Sequence, residues 1–91
     1  MRKGDLVEIV ARKAHLTKKA SLEAIETFLG EIEKALSKGE KVILSGFGTF
    51  RVYMSKDKSV VIPKTKERIT VRSHRSPRFS PGRSLKRIIK S

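Results

Sequence analysis

Gly39 divides this chain into two kinds of hydrophobic repeat, and that division limits the folds open to it. Before Gly39, apolar residues return every three or four positions; after it, they alternate or gather in short β-rich runs. Leu6, Ile9, Val10 and Ala14 lie on one face of a short helix. His15-Leu16-Thr17 interrupts that pattern, and Thr17 is a ready N-cap. Ala20, Ala24, Ile25, Phe28, Leu29, Ile32, Ala35 and Leu36 then carry an apolar stripe along a second helix, which Gly39 terminates by supplying a left-handed residue. So short a connection dictates a helical hairpin.

Beyond Gly39, Lys41 to Leu44 reads as a strand, Ser45-Gly46 as a turn, and Thr49 to Met54 as a second strand, so that a hairpin passes through Gly46 and Gly48. Val60, Val61 and Ile62 lead into Pro63, and Arg68-Ile69-Thr70-Val71-Arg72 alternates on the far side, which predicts a second hairpin with its tip at Pro63. A continuous run from Met54 to Pro63 would extend roughly 30 Å at about 3.3 Å per residue, farther than so small a body can cover. That hairpin is therefore expected to project as an arm. Ser80 and Pro81 are placed to cap and open a last helix, with Leu85, Ile88 and Ile89 inward and Arg83, Lys86, Arg87 and Lys90 outward. The fold class is α+β in a single domain over 1–91. It comprises a helical hairpin over 1–40, an antiparallel β-sheet over 41–80 with a protruding two-stranded arm at about 54–75, and a short C-terminal helix over 81–91.

Charge is distributed as unevenly as periodicity. Residues 1–50 carry 9 basic and 7 acidic side chains, whereas residues 51–91 carry 13 and 2. The first half is suited to building a body and the second to meeting a polyanion. Nucleic acid fits better than anionic membrane, because the cations do not line one side of a long amphipathic helix and no apolar run reaches membrane-spanning length. Glu23, Glu26, Glu31 and Glu33 would repel phosphates, so the second helix is not a groove-reading helix. Lys56, Lys58, Lys64, Lys66, Arg68, Arg72 and Arg75 could instead track phosphates along a ribbon, with Arg51 and Arg78 adding to the basic surface. Double-stranded DNA is the expected partner, with RNA secondary.

Other chemistries find little support. Asp57 and Glu67 are the only carboxylates after residue 50, which leaves no cluster to hold metal ions for phosphodiester cleavage. His15 and His74 have no neighbours at metal-ligand spacing. Gly46-Phe47-Gly48 is not a nucleotide-binding loop. No catalytic residue, metal or cofactor is expected. The chain has no cysteine, which is compatible with a reducing cytoplasm, and its N-terminus does not read as a signal peptide. If the arm leaves the body, Leu44, Phe47, Phe50 and Phe79 must be buried by a core smaller than most autonomous domains possess, and a symmetric dimer would relieve that shortage.

Gly46-Phe47-Gly48-Thr49-Phe50, the proline of Pro63-Lys64-Thr65, and Pro77-Arg78-Phe79-Ser80-Pro81-Gly82-Arg83-Ser84-Leu85-Lys86 together resemble the bacterial histone-like HU and IHF family. The resemblance covers the whole chain, with every motif in the family's order. It implies an intertwined dimer whose β-ribbon arms embrace DNA along the minor groove and bend it, in the nucleoid of the cytoplasm. A homodimer is expected, with a heterodimer with a paralogue as the alternative. The resemblance makes Pro63 a wedge between base pairs, places Lys3, the Gly46 amide, Arg83 and Lys86 at the DNA flanks, and assigns Phe47, Phe50 and Phe79 to a shared dimer core. It implies compaction with low sequence specificity, the alternative being an IHF-like sequence-specific regulator. The chain departs from the family at the arm tip. Val61 and Ile62 stand where an arginine and an asparagine are usual, so that Ile62 would enlarge an apolar wedge, and Lys66 stands where glycine is frequent.

Overall fold

The computed structural model describes residues 1–55, 58–61, 63–71 and 73–90, with the backbone alone described at 58–60, 70 and 71. Two compact units divide at Ala35 and Leu36.

In the first unit, helix α1 (Lys3–Lys13) is followed by most of helix α2 (Lys18–Ser37). The Arg2 amide donates to Asp5 Oδ2 at 2.8 Å, which satisfies one free donor at the start of α1. Thr17 caps α2 as expected, its Oγ1 accepting from the Ala20 amide at 3.0 Å. Between the helices His15 adopts φ 57°, and the Leu16 amide donates back to the Ala11 carbonyl at 2.8 Å. That bond closes α1 in the manner usually served by glycine, so His15 holds a left-handed position that its Cβ disfavours.

The expected face of α1 is only partly covered: Ile9 and Val10 are half-buried, Leu6 and Ala14 are exposed, and Val7 and Ala11 beside them are the buried residues. Apolar residues lie on more than one face of this short helix, and close helix packing selects the face bearing small side chains. Opposite it, Ser21 is completely buried and donates its hydroxyl to the Val7 carbonyl at 2.7 Å. A buried hydroxyl is tolerated because that bond satisfies it.

The second unit contains strands β1 (Val42–Leu44), β2 (Gly48–Met54), β3 (Lys58–Val61), β4 (Arg68–Val71) and β5 (Arg75–Pro81), followed by helix α3 (Arg83–Lys90). Gly39 has φ 81° and its amide returns to the Leu36 carbonyl, which ends α2 as its sequence indicated. An antiparallel sheet has the order β1-β2-β5, while β3 and β4 form a separate two-stranded sheet. The ladder of β2 with β5 runs from Gly48↔Pro81 to Met54↔Arg75, and β3 pairs with β4 from Lys58↔Val71 to Val61↔Arg68. The expected strand ending at Met54 and the second hairpin near Pro63 correspond to β2 and to the β3–β4 pair. Strand β5 continues through Pro81, and α3 opens at Arg83, two residues after the proline expected to start it. The reason is that β5 lies at a sheet edge, where proline is accommodated without losing a ladder bond from its missing N–H.

Alternation sorts the three-stranded sheet into unlike faces. Val42, Phe50 and Phe79 share one face, together with Val52 and Pro77. The Phe79 ring packs 4.8 Å from Phe50 and 5.5 Å from Phe47, between ring centroids. Gly48, two rungs away on the same face, is buried beneath the same ring. The opposite face carries Thr49 and Ser80, then Arg51 and Arg78, then Tyr53 and Ser76.

Candidate nucleic-acid interface

The β1–β2 turn is closed by the Phe47 amide donating to the Leu44 carbonyl at 2.9 Å, and Gly46 supplies the positive φ of 81° that this turn requires. The Phe47 carbonyl in turn accepts from the Gly82 amide at 2.8 Å. That bond ties the turn to the start of α3, so Gly46 and Arg83 belong to one local surface. Lys86 follows on the first turn of α3, its amide bonded to the Gly82 carbonyl at 3.1 Å. Gly46, Arg83 and Lys86 are all exposed. Lys3 lies in the first unit, where its ammonium pairs with Glu26 at 3.3 Å; both side chains are about half exposed, so the pair contributes little to stability.

The tip of the β3–β4 hairpin exposes Pro63, Lys64, Thr65 and Lys66. Lys66 adopts φ 59°, and the Glu67 amide lies 3.4 Å from Thr65 Oγ1. The tip thus requires a left-handed residue at a position well suited to glycine, and here lysine accepts it beside a local hydroxyl turn. Val61 and Ile69 are exposed apolar side chains near this tip, and Arg68 is exposed between them. Lys56, Ile62 and Arg72 lie outside the described residues, as does the side chain of Lys58.

At the hairpin's base, Ser55 and His74 exchange several hydrogen bonds. The Ser55 amide donates to the His74 carbonyl at 3.0 Å, the His74 amide donates to Ser55 Oγ at 3.0 Å, and that hydroxyl lies 3.1 Å from His74 Nδ1. Extending the β2–β5 ladder by one rung, this pair holds the two strands together where they leave the main sheet. His74 therefore has a structural role that its position among basic residues did not disclose.

Arg75 is exposed and also reaches back to the main chain. Its Nη2 donates to the carbonyls of Leu36 and Ser37 at 3.1 and 2.6 Å. These carbonyls end α2, where orphan acceptors and the helix dipole favour a cation. Charge marks Arg75 as cationic, but only the tertiary fold reveals a backbone acceptor within its reach.

Arg51 and Arg78 are exposed and directly opposed on neighbouring strands. Tyr53 lies diagonally next to them, with the Arg78 guanidinium carbon 5.2 Å from its ring centroid. Such a cation–π contact contributes about 0.5–1 kcal/mol at an exposed site. Sequence reading included both arginines but missed Tyr53. The spacing Arg51-Val52-Tyr53 places the ring on the arginine face, although its pairing with Arg78 depends on the β2–β5 register.

Of the expected dimer-core residues, Phe47, Phe50 and Phe79 do come together, with Leu44 paired opposite Gly48 on the same face. Their burial is incomplete: Phe47 is 48% and Phe79 40% exposed. Among the described residues, Val7 and Ala11 are the only buried apolar side chains apart from glycine. No helix is long and apolar enough to cross a membrane, and no cluster of three His, Cys, Asp or Glu side chains occurs, both among the described residues.

Comparison with known proteins places these features in a family. The model for bacterial DNA-binding proteins matches residues 1–90. The DNA-binding protein HU of Thermus thermophilus is 42% identical over 88 residues, covering 97% of this chain and 91% of that protein. Integration host factor subunit alpha of Aliivibrio fischeri is 40% identical over 84 residues, covering 92% and 86% respectively. Among solved structures, an Anabaena HU–DNA cocrystal chain matches with a TM-score of 0.90 at 38% identity, covering 98% of this chain and 97% of that one.

Proposed function

Because this chain belongs to the bacterial DNA-binding protein family of HU and integration host factor, we propose that it is an architectural protein that bends and compacts double-stranded DNA as a dimer. The observation that carries this reading is the division of the β1-β2-β5 sheet into an apolar face and a cationic one. The apolar face and the incompletely buried phenylalanines need a second chain. Sharing a core between two chains supplies the missing burial and presents two β3–β4 arms. The primary assembly is a homodimer, and a paralogue with the same apolar face is the alternative partner.

On DNA, the arms follow the minor groove, whose degenerate hydrogen-bond pattern permits little base discrimination. Lys64, Lys66 and Arg68 neutralise phosphates, while Pro63 wedges at a base step. Unstacking costs on the order of a few kcal/mol, and bending 20–30 base pairs costs roughly 1–6 kcal/mol more. Phosphate contacts on the flanks, from Arg83, Lys86 and the Gly46 amide, offset that deformation. Distorted or nicked duplexes should accordingly bind more tightly than intact linear ones. No step of this activity calls for a catalytic residue, and its site in the cell is the nucleoid in the cytoplasm.

The test is an energy-transfer bending assay on an end-labelled duplex. Pro63→Ala should reduce the bend more than the affinity; an unchanged bend removes the wedge role. The match to an integration host factor subunit gives a second reading, sequence-specific regulation. Competition between random duplexes and a selected site separates the two, and a preference below tenfold rejects specificity. Equal affinity for A-form RNA would reject the duplex-DNA reading.

A further inference from the structure

The outer face of the β2–β5 ladder holds a feature that sheet stability does not explain. Arg51 and Arg78 are direct cross-strand partners, and side chains in that relation lie on the same face as nearest neighbours. Two like charges so placed repel. Neither guanidinium makes an ion pair among the described residues. Tyr53 instead holds the Arg78 guanidinium at 5.2 Å from its ring centroid. The next pairs on the same face are Thr49 with Ser80 and Tyr53 with Ser76, which among the described residues bring hydroxyls and no carboxylate to the arginines.

We propose that Arg51 and Arg78 form a two-guanidinium clamp for one DNA phosphate, with Tyr53 as its positioning residue. This inference rests on the duplex-binding reading and adds a contact on the sheet itself, separate from the arms. An anion between the guanidiniums converts their repulsion into two charge-assisted interactions, and the forked donors of arginine suit phosphate oxygens. Stacking of Arg78 on Tyr53 limits the conformations given up when the phosphate enters. The hydroxyls of Thr49 and Ser80 flank the same position as neutral donors. The clamp reads no base and adds affinity without specificity.

The clamp predicts opposite effects on stability and binding. Arg51→Gln and Arg78→Gln should each reduce affinity for a 30-base-pair random duplex roughly tenfold at 0.1 M salt, and lower the log–log salt slope by about 0.9 for each phosphate that is no longer neutralised. Arg51→Gln should at the same time raise the melting temperature of the free protein, because it removes the repulsion. Tyr53→Leu should weaken duplex binding with the formal charge unchanged, and Tyr53→Phe should restore it by retaining the ring. Wild-type binding with a steep salt slope that neither arginine variant alters would overturn the clamp and leave the duplex reading intact. Tyr53→Leu binding as tightly as wild type would overturn the positioning role. A separate NMR titration with inorganic phosphate should move the Tyr53 ring and the arginine Nε–H signals in wild type but not in Arg51→Gln. Those shifts in a protein that ignores duplex DNA would overturn the duplex reading and, with it, DNA as the source of the clamped phosphate.

Discussion

Gly48→Ala isolates how the aromatic cluster is built. A Cβ at position 48 would lie 2.5 Å from Phe79 Cζ, 2.6 Å from Cε1 and 2.7 Å from the Ser80 carbonyl oxygen, all well inside ordinary van der Waals distance. The ring cannot move away freely, because it packs against both Phe50 and Phe47. The Ser80 carbonyl cannot move freely either, because Ser80 is paired across the ladder with Thr49. Overpacking of this kind costs about 1–3 kcal/mol, and partial disruption of two aromatic pairs adds about 0.5–1.5 kcal/mol. The expected destabilisation is therefore about 1.5–4.5 kcal/mol. Urea unfolding followed by far-ultraviolet circular dichroism, at fixed chain concentration, measures it. Combining the change with Phe79→Leu should recover part of the stability, since the ring clash disappears while the carbonyl clash remains. A destabilisation below about 0.5 kcal/mol would refute the argument, because it would mean that ring and strand separate at almost no cost.

Three further substitutions probe other links. Gly30→Ala lies within α2 with open space around the new methyl group and should stabilise by about 0.5–1 kcal/mol in the same unfolding assay; a destabilisation would refute that open space. Thr17→Ala removes the hydroxyl that accepts from the Ala20 amide and should cost about 0.5–2 kcal/mol, with an unchanged midpoint counting against the cap. Lys66→Gly relieves the left-handed lysine and should raise stability by about 1 kcal/mol, while removing a cation from the arm tip and lowering the salt slope of duplex binding. Stability and salt slope both unchanged in that variant would contradict the tip geometry and its role together.

Local chemistry accounts for what was legible without coordinates. A cap needs only a hydroxyl near a free amide, as Thr17 provides, and a helix stop needs only a residue tolerant of positive φ, as Gly39 provides. The same holds for the Gly46 turn, for the β3–β4 hairpin ending near Pro63, and for the concentration of cations after residue 50. Each depends on neighbours in the chain, and sequence states those directly.

Tertiary structure decided which side chains meet. It selected Val7 and Ala11 over Leu6 because helix packing rewards close approach, which the burial of Ser21 makes visible. It turned Arg75 toward helix carbonyls and tied His74 to Ser55. By setting the register of β2 against β5 it placed Arg78 beside Arg51 and Tyr53, although the whole β3–β4 hairpin intervenes along the chain. Sliding that register by one residue would send every one of these side chains to the opposite face. Composition and spacing carry no record of register, which is settled by the collective packing of the phenylalanines on the sheet's apolar side.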